Sequence, residues 1–248
     1  MSAHVEPGVA APPSDRLPSW TAVLSVVAHP DDESFALGAV LDSFARSGAR
    51  VAVLCLTRGE ASTLHGVPGE LDQVRSQELA AAAAVLGVAE VSLLGHPDGR
   101  LAGVDLDRLR GEVTAAARAT GAQGLLVFDR TGVTGHPDHA HATLAALAAA
   151  EVLDLPVLGW TIPDTVAVRL RAEHGVVFDG HPRRSIDLVV DVDRTRQLEA
   201  VRCHASQALP GSVLWRRLEL LGDREHLRWL RPEEAKAPVG AEPTASWF

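Results

Sequence analysis

The sequence predicts an α/β protein with a Rossmann-like, mainly parallel sheet, helices on both of its faces, and an active site at the C-terminal ends of the strands. Two observations predict it. Five short, continuous apolar runs alternate with longer segments of helical pattern, and the two densest clusters of histidine and carboxylate fall just after the first run and shortly after the fourth. In an open parallel sheet, that is where ligands bind.

The strand candidates are AVLSVVA (22–28), VAVLCLT (51–57), VSLLG (91–95), GLLVFD (124–129) and PVLGWTI (156–162). Val/Leu runs of this length suit strands covered on both faces. Helices are expected over 34–47, over 71–87 ending at Gly87, over 105–120 ending at Gly121, and over 137–151, where Pro137 suits a first helical residue. VAVRLRAEHGVVFDG (166–180) and SIDLVVDV (185–192) read as edge or antiparallel strands, and 193–207 as a helix capped by Asp193.

With 248 residues, 46% of them hydrophobic, the chain can bury the core of one large domain, placed at 19–231. The flanks, 1–18 and 232–248, are rich in Pro, Ala and Glu and read as mobile tails; the closing Trp247 and Phe248 suit a frayed end or a partner subunit. A net charge of -9 argues against nucleic-acid binding, which needs a basic surface. Cys55 and Cys203 lie far apart without CxxC spacing, which fits a reducing cytoplasm. No signal-peptide pattern or membrane-length apolar run is seen, so no membrane anchor is expected. A homo-oligomer is compatible with all of this.

The chemistry collects in AHPDDE (28–33) and GHPDHAH (135–141). Three acids in tandem repel one another unless a cation sits among them, although a helix start tolerates acids too. His136 stands at a helix entrance, with His139 one turn on and near the same face. One of these, with His29 and one aspartate, makes a His2Asp set with an open position, the arrangement of catalytic zinc; iron(II) shares that ligand inventory. His-Pro itself carries little weight, because it recurs at His96 and His181, where HPDG reads as a turn and HPRR as a solvated loop. No GxGxxG follows the first strand, which discounts a nucleotide-binding oxidoreductase.

AHPDDE and HPDH together resemble the signature motifs of the LmbE-like or PIG-L superfamily of zinc-dependent N-deacetylases. RGE (58–60), RSQEL with AAAVLGV (75–88) and CHASQ (203–207) add to a resemblance that spans Val23 to Leu230. The resemblance implies His29, Asp32 and His139 as metal ligands, Asp31 as general base and His136 at the developing oxyanion. It places Glu60, Arg75 and Asp98 in the sugar pocket. Asp138 is expected either to hydrogen-bond His136 and raise its pKa or to cap the helix. Glu33 is assigned to the helix start. His204 and Gln207 are expected to close a pocket, their own or a neighbour's, or to serve a buried hydrogen-bonding role. Some relatives use a tyrosine near HPDH; this chain has none and reads Thr134, Gly135 there.

The implied activity is zinc-dependent removal of an N-acyl group, expected to be acetyl, from an amino sugar or its glycoside. The substrate is thus a small N-acylated amino sugar. The alternatives are a metal-dependent amidase acting on larger thiol conjugates and a catalytically silent sugar-binding homologue.

Overall fold

The computed structural model describes residues 12–67 and 69–233. A seven-stranded sheet has the order β3-β2-β1-β4-β5-β7-β6. Its parallel part comprises β1 (Ala22–Val27), β2 (Arg50–Thr57), β3 (Glu90–His96), β4 (Gly124–Phe128) and β5 (Val157–Thr161). Every residue of β1, β4 and β5 is buried, as continuous apolar runs require when both faces are covered.

Side chains alternate between two cores. From β1, Val23 and Val27 join Val40, Phe44, Leu79 and Trp160 on one face, while Leu24 and Val26 join Leu109, Val113 and Ala145 on the other. The helices that cover these faces include α2 (Gly38–Arg46), α3 (Leu71–Leu86), α4 (Leu106–Thr120) and α5 (Pro137–Leu153). Gly87 and Gly121 end α3 and α4 in the left-handed conformation, with φ of 73° and 68°.

Chain order reverses between β1 and β4, which are neighbours in the sheet. Segments leaving their carboxyl ends diverge and open a crevice. The two His/Asp clusters therefore meet there, although His29 and His139 stand 110 positions apart in the sequence.

Several expectations need correction. The helix expected over 34–47 is two helices, α1 (Asp32–Phe35) and α2, interrupted at Ala36 and Leu37. The segment expected as a strand from 166 is instead α6 (Asp164–His174). It buries Ala167 and Leu170, pairs Arg169 with Glu173 one turn on, and stops at left-handed Gly175. The strand expected within 185–192 exists as β6 (Leu188–Asp191). The helix expected over 193–207 is α7 (Thr195–Cys203), where Asp193 accepts the Thr195 N–H at 2.9 Å. In HPRR the two arginines are exposed, as a solvated loop requires, whereas half-buried His181 turns inward and lies 3.1 Å from the buried Asp129 carboxylate.

Two elements were not foreseen: α8 (Val213–Leu221) and β7 (Arg224–Arg231), which pairs antiparallel with both β5 and β6. The 1–18 tail is too long as drawn, because Ser14 hydrogen-bonds to Asp187 and Val189 beside β6. Residues 1–11 and 234–248, including Trp247 and Phe248, lie outside the described residues.

Candidate active site

The turn after β1 bends within three residues. Asp31 takes φ 132°, a conformation rare outside glycine, and Asp32 opens α1. Asp32 Oδ2 accepts the backbone N–H groups of His29 and Ala28 at 2.9 and 3.2 Å, which fixes the carboxylate beneath the turn. After β4 the chain folds through Val133, fully buried at φ 59°, an outlier for a β-branched residue. Asp179 ties this turn down by donating its N–H to Val133 O at 2.7 Å. Pro137 then opens α5, with His136 at its N-cap.

Three donor atoms converge between these turns. His29 Nδ1 lies 3.2 Å from His139 Nε2, His139 Nε2 lies 3.2 Å from an Asp32 oxygen, and His29 Nδ1 lies 3.6 Å from the other. Ligands at about 2.0–2.1 Å from a tetrahedral zinc stand about 3.3 Å apart, so the triangle fits such an ion. His29, His136 and His139 also bring one ligating nitrogen each within 4.8 Å of one another.

Each histidine is oriented from behind. His139 Nδ1 lies 2.8 Å from Thr134 Oγ1 and 3.2 Å from Gly132 O, so it carries the proton and leaves Nε2 free as a ligand. His29 Nε2 lies 3.0 Å from Asp98 and 3.5 Å from Asp138, contacts that are close but poorly aligned for hydrogen bonding.

The electrostatics favour positive charge at the cluster. Burial lowers the His29 pKa, yet Asp138, Asp98, Asp32 and Asp31 outweigh it and push the value up to about 10. Burial disfavours an ionised Asp32, but His139 and His29 hold its carboxyl well below the usual range. Asp31 is pushed up to about 6, chiefly by burial and against the pull of Arg75. His136 is drawn below its ordinary value by burial and by the neighbouring His29 and His139.

A cavity of about 660 Å³ opens over this cluster. His29, Asp31, Asp32, His136 and His139 line it, together with Arg75, Asp98, Gln207 and the Ala61–Leu64 loop.

The remaining expected site residues are differently placed. Arg75 reaches the cavity, but its Nη2 lies 3.1 Å from Asp31, and it donates to Pro30 O and Gly59 O at 2.5 and 2.8 Å. Gly59 is required there: at φ 68°, an added Cβ would come within 2.2 Å of the Arg75 guanidinium. Asp98 accepts the Ala61 N–H at 2.9 Å and faces His29, so it supports that histidine as well as lining the cavity. Glu60 accepts the Asp98 N–H at 2.9 Å and bridges two loops without lining the cavity.

Asp138 does not bond the His136 ring through its side chain. Its oxygens accept the N–H groups of Gly99 and Leu101 at 2.8 and 3.0 Å, and it is His136 Nδ1 that accepts the Asp138 backbone N–H, at 3.3 Å. This bond selects the neutral Nε2–H tautomer of His136.

Glu33 does more than start a helix. Fully buried, it accepts from the Asp31 backbone and lies 2.7 Å from His204 Nε2. Gln207 lines the cavity of its own chain and accepts from Ser62 Oγ at 2.8 Å. Arg217 also lines the cavity; it lies on α8, the helix that the sequence reading does not include.

Residues 24–150 match the family described as GlcNAc-PI de-N-acetylase, PIG-L. A protein of Thermobispora bispora named 1D-myo-inositol 2-acetamido-2-deoxy-alpha-D-glucopyranoside deacetylase is 34% identical over 76% of this chain and 68% of its own. One of the same name from Kineococcus radiotolerans is 29% identical over 78% of this chain and 70% of its own. Across such relatives the chain spans between 53% and 70% of their length. The N,N'-diacetylchitobiose deacetylase of Pyrococcus horikoshii shares the fold with a TM-score of 0.62 at 19% identity, covering 86% of this chain and 84% of that one. On the family match and on these relatives, the chain belongs to the GlcNAc-PI de-N-acetylase, or PIG-L, family.

Proposed function

We propose that this chain is a zinc-dependent deacetylase that removes the acetyl group from an N-acetylated amino sugar held within a glycoside. The observation that carries the reading is the triangle of His29, His139 and Asp32 at 3.2–3.6 Å with a second carboxylate, Asp31, beside it and outside it. The metal-ligand roles go to these three residues, with iron(II) able to use the same donors. When bound, such an ion supplies a Lewis acid that acidifies water and polarises the amide carbonyl.

Asp31 takes the proton from the attacking water. With its carboxyl pushed up only to about 6 and Arg75 at 3.1 Å, it is ionised at neutral pH and still basic enough to accept. His136 donates its Nε2–H towards the oxygen where negative charge develops, and its Nδ1 is held by the Asp138 N–H. Asp31 then returns the proton to the departing amine. The Ala61–Leu64 loop, Gly99 and Pro137 line the same cavity and are assigned to the sugar.

The names of the curated relatives motivate the substrate class, a 2-acetamido-2-deoxyglucoside. No helix among the described residues is long and apolar enough to cross a membrane. We assign the enzyme to the cytoplasm, where the two free cysteines Cys55 and Cys203 stay reduced. All the groups named come from one chain, so this chemistry works in a monomer or a homo-oligomer.

The test is mass-spectrometric screening of the zinc-loaded chain against N-acetylated glycosides. Equal amounts of acetate and free amine are expected, lost on chelation and restored by zinc. No product across the panel would remove the reading.

A further inference from the structure

Another part of the cavity wall is built by Phe35, Phe128, Leu214 and Arg217. Leu214 and Arg217 lie on α8, beyond residues 24–150 that match the family. Arg217 is 1% exposed, a cation taken almost wholly out of water. Its Nη2 donates to Phe35 O, its guanidinium carbon lies 5.0 Å above the Trp160 ring, and its Nε has no partner.

Among the described residues no carboxylate lies within ion-pair distance of it. Glu225, the acid that most offsets its charge, is already engaged by Arg194 at 2.5 Å and by Trp160 Nε1 at 2.8 Å. Burial draws the Arg217 pKa down to about 10, which leaves it protonated at neutral pH. A buried charge without a partner is costly, and its presence in a cavity points to a ligand that completes it.

We propose that Arg217 forms an anion subsite that receives a carboxylate against the apolar wall of Phe35, Phe128 and Leu214. With Nη2 engaged by Phe35 O and its carbon 5.0 Å from the Trp160 ring centroid, the guanidinium keeps its remaining N–H groups for an acceptor, and that planar cation matches a carboxylate. The inference deepens the deacetylase reading and rests on it: hydrolysis turns a neutral acetamide into an acetate anion within the same cavity. Two molecules can present such a carboxylate there, the released acid or an acyl group that itself ends in one, such as N-succinyl.

The test is calorimetric titration of the full-length chain, zinc-loaded and zinc-free, with acetate and with monomethyl succinate at constant ionic strength. Wild type, Arg217→Gln and Arg217→Lys are compared, with folding checked by circular dichroism and zinc content. Acetate is expected to bind the wild type in both metal states. Arg217→Gln should weaken zinc-free binding by about tenfold or more, as loss of a charge-assisted pair requires, and Arg217→Lys, which keeps the charge and loses the fork, should fall between.

Undiminished acetate affinity in folded Arg217→Gln, or no acetate binding by the zinc-free wild type, overturns the proposal. Should the arginine variants not fold, Leu214→Trp fills the wall with Arg217 in place; lost acetate binding supports the subsite and unchanged affinity refutes it. Tighter binding of monomethyl succinate than acetate, with faster release of N-succinyl than N-acetyl groups, identifies the acyl-borne carboxylate; the reverse order identifies the released acid. Acetate binding without any glycoside hydrolysis keeps the subsite and removes the deacetylase reading, whereas hydrolysis without acetate binding does the opposite.

Discussion

Glu33 Oε2 accepts the backbone N–H of Asp31 at 2.9 Å, and Glu33 Oε1 lies 2.7 Å from His204 Nε2. Both Glu33 and His204 are fully buried, and His204 is held above its ordinary pKa because Glu33 outweighs the effect of burial. The acid that follows the metal-site pair therefore holds the proposed base in its unfavourable φ of 132°. Replacing Glu33 by Gln sets a second donor against His204 and loosens this hold. The expected result is a fall in kcat on the order of tenfold to a hundredfold with zinc content unchanged, the scale on which misplacing a catalytic group acts. Steady-state kinetics with metal analysis checks it, and equal losses of zinc and rate would contradict it.

Asp31 and Asp32 are adjacent in sequence and separable in effect. Asp31→Asn should keep the metal and lose roughly a hundredfold to ten-thousandfold in turnover, the usual contribution of a general base. Asp32→Ala should lose the metal itself, because its carboxylate meets His139 at 3.2 Å and the turn N–H groups below. Metal content by mass spectrometry, read beside acetate release, distinguishes the two.

The Thr134 hydroxyl lies 2.8 Å from His139 Nδ1. Thr134→Val leaves only the longer contact of 3.2 Å to Gly132 O. Zinc affinity should drop by about tenfold, the lower end for loss of a group that orients a ligating imidazole. Competition with a chromophoric chelator measures it, and an unchanged zinc Kd would show that Gly132 O suffices.

Acid stability should depend on His226 in β7. Burial first, then Arg194, Arg224 and Arg183, draw its pKa down to about 4. The unfolded chain protonates this imidazole below about pH 6.5 and the folded chain only near 4, so the unfolded state binds more protons between them. Stability is full above that window and declines as pH falls through it. His226→Gln should flatten the decline in urea midpoints between pH 6.5 and 4. An identical slope in the variant would assign the decline to other groups.

Much of the fold is legible because β1, β4 and β5 are doubly covered and so need uninterrupted apolar runs. β7 escapes the same reasoning: REHLRWLR carries a charge or histidine at most positions, and Glu225 and Arg228 find their partners Arg194, Asp129 and Ser185 far away in sequence. Helix α6 reads as a strand because Val166, Val168 and Leu170 alternate, and only the tertiary burial of Ala167 and Leu170 reveals the helical face. At the site, residue types near the sheet's switch point identify the reactive cluster. Side-chain direction is not written in spacing, so the turning of Asp138 towards Gly99, of Arg75 towards Asp31 and of Arg217 into the cavity had to be seen.

β7 follows β6 along the chain yet lies between β5 and β6 in the sheet. A ribosome delivers these residues in order, so β6 has no strand to pair with, and the flank of β5 stays bare, until Arg224–Arg231 has emerged. β7 acts as a wedge that locks two earlier strands. A chain halted before β7 would carry two open edges that invite association with other copies, which makes that interval a vulnerable one.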